Sequence, residues 1–208
     1  MGFMNASASF TRFQILEEVP AELWAQIPDK LKQFAFTEIE DTAAERGWGW
    51  VCYDDMLDSF WRTAPPEKGE YLTFSLRLDT RRIPAAVTKK HLALALREEE
   101  RKIKEQGKKY VSRERKKELK EQVQLKLRAR AMPIPAEFNA VWNIQNGVVY
   151  FASTQSKVLD LFTEYFSTTF GLDIEPLTPY SLALRLLGDD ITHSLDSLEP
   201  ARFAPASR

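Results

Sequence analysis

A chain of 208 residues can bury one good core, as a single domain or two small lobes. Its 44% hydrophobic, 28% charged and 12% aromatic residues exclude a disordered chain, and no apolar run nears the roughly 18 residues a spanning helix needs. The formal net charge of −1 conceals a division: residues 89–130 carry 16 Lys and Arg against 7 Asp and Glu, so a basic segment rides on an acidic body.

Cys52 stands alone, which rules out a disulfide framework and points to a reducing, cytosolic setting. The first ten residues have neither a basic n-region nor an apolar h-region, so no signal peptide is expected.

Residues 9–17 alternate loosely and predict a first strand. From Pro20, Leu23, Trp24, Ile27, Leu31 and Phe34 fall at spacings of three and four, the mark of a helix with one apolar face. Pro28 lies inside that run and is expected to break it or to begin a second, shorter helix. Residues 46–51 (RGWGWV) suggest a strand whose glycines permit a close backbone approach. Residues 52–69, with Asp54, Asp55, Asp58, Pro65 and Pro66, read as a connecting loop. Residues 70–78 then set Tyr71, Thr73, Ser75 and Arg77 against Leu72, Phe74, Leu76 and Leu78, a half-buried strand.

Pro84 opens a helix whose stripe of Val87, His91, Leu94 and Ala95 fades into the charged run 97–102. Gly107 is a candidate C′ residue and Ser112 a candidate N-cap for a return helix, in which Leu119, Val123, Leu127 and Ala131 restore the apolar stripe. The two helices form an αα-hairpin arm with a charged tip and an apolar root. Pro133 and Pro135 stop the return helix.

Phe138, Ala140, Trp142 and Ile144 alternate up to Asn146-Gly147, a hairpin signal, and 148–151 follows as the partner strand. Ser153 or Thr154 caps a helix that Gly171 ends. Residues 172–177 form an edge strand containing Pro176, and Thr178-Pro179 starts a last helix. The fold class is α+β, with antiparallel sheet, packed helices and an inserted basic helical-hairpin arm. The chain divides into an N-terminal α+β half (1–84), the arm (85–132), a C-terminal α+β half (133–187) and a loose tail (188–208).

The arm carries the chemistry. Pairs such as Glu98–Lys102, Glu100–Lys104 and Glu105–Lys109 suit i,i+4 neutralisation, yet nine positive charges remain in excess. The candidate phosphate contacts are Lys89, Lys90, Arg97, Arg101, Lys102, Lys104, Lys108, Lys109, Arg113, Arg115, Lys116, Lys117 and Lys120. Single-strand binders interleave aromatics for base stacking, whereas 89–130 holds only Tyr110. It also lacks the Asn/Gln-rich helix face suited to base readout. Lys and Arg alone track phosphates, so the expected ligand is duplex DNA, bound without sequence preference and with strong salt dependence.

Two acidic clusters, Glu38/Glu40/Asp41 and Asp54/Asp55/Asp58, are the candidates for two-metal phosphoryl chemistry. Both fall in connections where acids are ordinarily soluble loop residues. No catalytic residue, metal ligand or cofactor is therefore assigned, and no membrane partner. A metal-dependent exonuclease, or a scaffold whose charged arm docks an acidic protein, are the alternative readings.

The ordered set 34–36 (FAF), 49–51 (GWV), 81–87 (RRIPAAV), 97–100 (REEE), 116–121 (KKELKE) and 130–131 (RA) resembles the RdgC family of bacterial recombination-associated proteins. The hairpin at 141–142, 146–147 and 150–151, then 169–172 (TFGL) and 176–179 (PLTP), complete the likeness, which spans about residues 9–187. The resemblance implies a non-enzymatic, nucleoid-associated DNA-binding homodimer that closes into a ring with a basic lumen around duplex DNA. It implies little sequence preference and a restraining action on the RecA recombinase. Longer members carry a further C-terminal part that helps close the ring, and this chain reads as a short version.

Overall fold

The computed structural model describes residues 3, 6–42, 44–105 and 110–201. Its strands are β1 (Thr11–Ile15), β2 (Arg46–Cys52), β3 (Glu67–Lys68), β4 (Tyr71–Thr80), β5 (Ile134–Asn143), β6 (Val148–Phe151) and β7 (Ile174–Pro176). The α-helices are α1 (Ala21–Gln33), α2 (Ala85–Glu105), α3 (Arg113–Arg128), α4 (Ser156–Phe170), α5 (Pro179–Leu187) and α6 (Thr192–Asp196). All seven strands join one antiparallel sheet in the order β2-β4-β5-β6-β1-β7, with β3 beside β4, so the class is α+β. Strands from the beginning and end of the chain interleave, because β1 lies between β6 and β7.

One sheet face carries Phe13, Trp50, Leu72, Phe74, Leu76, Ala140, Trp142, Val149 and Phe151, and packs on Leu23, Ile27 and Leu31 of α1 and Phe162, Phe166 and Phe170 of α4. Phe151 and Phe162 stack at 3.9 Å between ring centroids. Apolar and aromatic burial of this kind is the main stabilising term for such a domain. Trp50 donates its indole N–H to Thr169 Oγ1 at 2.8 Å, so its burial leaves no polar orphan.

Pro28 does not break α1, which runs unbroken through it. The missing N–H forfeits one intrahelical bond, but Leu23, Ile27 and Leu31 stay on one buried face and their packing outweighs that loss. The polar face of β4 is also not solvated as its alternation predicts: Thr73, Ser75, Arg77 and Asp79 are all buried. The segment after α1 lies over it. Phe36 sits under Arg77, whose guanidinium carbon is 4.1 Å from the ring centroid. Arg77 makes two hydrogen bonds to Asp79 (2.9 and 2.8 Å) and two to Glu38 (2.8 and 3.2 Å), while Arg81 donates to the backbone carbonyls of Ile39, Glu40 and Thr42.

The same segment explains the glycines of β2. Phe36 N donates to Trp50 O at 2.9 Å and Trp50 N to Phe34 O at 3.0 Å, a parallel bridge along the outer edge of β2. A Cβ on Gly49 would lie 2.3 Å from Phe36 Cα, so only glycine admits the approach.

Smaller differences have local causes. Pro135 lies within β5 rather than before it. The Asn-Gly pair closes a four-residue loop, in which Asn143 Oδ1 accepts from the Gln145 and Asn146 backbones and Gly147 takes φ 66°. The residue before α4 is Gln155, with Ser153 Oγ accepting from its N–H. Gly171 ends α4 at φ 70°, and Thr178 with Ser181 forms a capping box on α5. Where a loose tail is expected, 189–191 form a 3-10 turn and α6 follows, held by Tyr180 Oη donating to Asp196 Oδ1 at 2.9 Å.

Candidate nucleic-acid interface

The connection from β4 to β5 is the arm. Those two strands pair along their whole length, from Tyr71 opposite Asn143 to Thr80 opposite Ile134. The arm therefore leaves and re-enters the sheet at one point, and no side chain from α2 or α3 joins the main core cluster. Pro84 lies just before α2, and its carbonyl accepts from the Val87 and Thr88 N–H groups. Ser112 caps α3, its Oγ accepting from Arg115 N at 3.2 Å. The proposed C′ residue Gly107, with Lys108 and Lys109, lies outside the described residues.

The two helices pack chiefly on each other. Leu119 and Val111 are buried, and Ala95, Glu98 and Glu99 line a groove with Arg115, Leu119 and Val123. Arg115 fastens the pair. Its Nε donates to Glu99 Oε1 at 2.7 Å across the hairpin, and its Nη1 to Glu118 Oε2 at 2.8 Å on its own helix. The Arg115 hydrogen bond is the main reason that the Glu99 carboxyl is held below the usual glutamate range. At the root, Arg128 Nη2 meets Glu45 Oε2 at 2.8 Å and braces α3 against the loop before β2. Glu98 and Lys102 form the expected i,i+4 pair at 3.2 Å.

The remaining candidates form two rows. On α2, Lys90, Arg97, Arg101 and Lys104 are all exposed and spaced seven, four and three residues apart. At about 100° per residue this is one line, about 21 Å long. Arg97 and Arg101 each lie two residues from Glu99, so the line is on the side turned away from α3. On α3, Arg113, Lys116, Lys117 and Lys120 are exposed and crowd one flank over about 10 Å, while Glu114, Glu118 and Glu121 follow the other flank. Lys89 is exposed on α2 beside the first row. Among the described residues, no ion pair engages any of these nine cations.

Four of the six clustered carboxylates, those of Glu38, Asp54, Asp55 and Asp58, have structural partners. Glu38 binds Arg77, and the backbone carbonyl of Glu40 receives Arg81. Asp54 pairs with Lys68 at 2.5 Å, and Asp55 Oδ1 accepts from Leu57 N at 2.9 Å. Asp58 accepts from the Phe60 and Thr63 backbones at 2.9 and 2.7 Å. Burial raises its pKa, and those backbone hydrogen bonds overcome the effect to hold it below the ordinary range. Among the described residues, no three His, Cys, Asp or Glu side chains are grouped to hold a metal ion. Cys52 is buried, its Sγ 3.7 Å from the Ala64 carbonyl oxygen. None of the described helices is long and apolar enough to cross a membrane.

The fold and the site together define an α+β protein that carries a cationic helical hairpin outside its core. Residues 9–188 match the family described as "Putative exonuclease, RdgC", and the chain belongs to the RdgC family. At the level of that family, the role is a recombination-associated, DNA-binding one. A comparison with proteins of curated function gave no match.

Proposed function

We propose that this protein holds duplex DNA by its phosphates, without sequence preference, and modulates homologous recombination by restraining a RecA-type recombinase. It acts as a homodimer on the nucleoid in the cytoplasm, without catalysis and without a cofactor. The observation that carries the reading is the arm: a helical hairpin set apart from the core, with two rows of cations that no carboxylate neutralises among the described residues. Clustered cations without interleaved aromatics favour backbone contacts over base stacking or base readout. Engagement of the Glu38, Asp54, Asp55 and Asp58 carboxylates in turns and ion pairs supports a role without catalysis. Competition for the same duplex would restrain a recombinase filament with no chemical step.

The test is binding of labelled random duplex and single strands over a salt series, with and without Mg²⁺. Expected are duplex affinity that falls steeply with salt, no sequence preference, and DNA recovered intact with Mg²⁺ present. Mg²⁺-dependent degradation would replace this reading with the exonuclease, and absence of duplex binding at low salt would leave the arm as a protein-docking surface.

A further inference from the structure

We infer that one flank of α3, bearing Arg113, Lys116, Lys117 and Lys120, makes the principal phosphate contact, and that Arg115 is a positioning residue that sets the roll of this flank. This rests on the duplex-binding reading above and goes on to name the surface within the arm. Three observations carry it.

The first is density. The α3 flank packs four exposed cations into about 10 Å, whereas the α2 row spreads four over about 21 Å. Phosphates of one strand succeed each other every 3.4 Å along the duplex axis, so the compact set matches a continuous run of backbone charge.

The second is sorting. On α3 the acids Glu114, Glu118 and Glu121 all lie to one side of the cations, Glu121 about 40° from Lys117, and the other side is free of acids. On α2 acids border the row on both sides: Glu100 lies about 40° from Lys104, and Glu105 about 40° from Arg101. A phosphate approaching Arg97, Arg101 or Lys104 on α2 has carboxylates on both sides of the row, while the α3 flank repels it from one side only.

The third is the fixed roll. Arg113 and Lys117 each lie two residues from Arg115, about half a turn around the helix. Anchoring Arg115 on Glu99 of α2 therefore turns the basic flank outward and holds it there. Arg115 is only partly exposed and already holds two carboxylates, which leaves it poorly placed to take a phosphate.

Two variants of the full chain remove the same charge: one carries Arg113, Lys116, Lys117 and Lys120→Gln, the other Lys90, Arg97, Arg101 and Lys104→Gln. Gln has nearly the helix propensity of Lys and Arg, and unchanged thermal melting checks that both fold. Random duplex binding is then followed against salt. The α3 variant is expected to flatten the slope of log K against log salt by roughly 3 to 4, and the α2 variant by about 1 or less, at about 0.9 per phosphate contact. A third variant, Arg115→Gln, is expected to weaken binding while the slope falls by less than one contact. Equal flattening by the two fourfold variants, or a larger effect from α2, would overturn the assignment while leaving duplex binding intact. Failure of the unaltered protein to bind duplex at all would remove both the assignment and the reading beneath it.

Discussion

Arg115 Nε lies 2.7 Å from Glu99 Oε1, joining the helices of the arm within two turns of the C-terminal end of α2. An arm with few core contacts needs such a fastener, because its buried surface is small and its like charges push the helices apart. The Glu99 carboxyl is lowered first by the Arg115 hydrogen bond, so it binds its proton more weakly folded than unfolded. The contribution is complete above the unfolded glutamate range of about 4.3 and is lost as pH falls through the depressed folded value. Nuclear magnetic resonance titration of Glu99 is expected to give a midpoint below that of free glutamate, moving back toward it in Arg115→Gln. A Glu99 midpoint that ignores the loss of Arg115 would contradict the fastening role.

Gly49 and Gly47 make a graded pair. A Cβ at Gly49 would meet Phe36 backbone atoms at 2.3 and 2.4 Å, while one at Gly47 would meet the Ile39 side chain at 2.5 Å. Backbone held by two hydrogen bonds cannot yield as a side chain can, so Gly49→Ala should cost about 1–3 kcal/mol or more and Gly47→Ala less. Urea denaturation midpoints measure the difference.

Asp79 is buried beneath two hydrogen bonds from buried Arg77, whereas the third member of the cluster, Glu38, is more than half exposed. Asp79→Ala leaves a buried guanidinium with one exposed partner and should cost about 3–5 kcal/mol. Glu38→Gln removes an exposed charge and should cost about 1 kcal/mol or less. Comparable losses from the two substitutions in thermal or urea unfolding would contradict the assignment of the buried pair.

Much of this was legible in the chain. The period of two in 70–78, the spacing of Leu119, Val123 and Leu127, and the Ser112 cap each rest on local geometry, and each gave its element. The glycines of RGWGWV announced a close backbone approach, and Phe36 supplies it. What local pattern did not carry is what distant residues decide. Burial of Arg77 on the polar face of β4 depends on Glu38 and Phe36, some forty residues upstream. The unbroken α1 depends on packing against α4, which outweighs one proline. Within the arm the charge count identified the segment, but it treated Arg115 as one cation among equals. Only the hairpin brings Glu99 to it, and only the wheel of α3 separates cations from acids. The Arg128–Glu45 brace is likewise a long-range pair with no sequence signature.

The most direct test of the central claim removes the arm. Thr80 and Ile134 face each other in adjacent antiparallel strands, and the main core takes no side chain from α2 or α3, so a short turn placed after Arg81 can replace α2 and α3 while keeping the Arg81 contacts. The shortened protein should unfold cooperatively and should lose its salt-sensitive affinity for random duplex DNA. A folded, armless protein that still binds duplex as tightly as the intact chain would contradict the account.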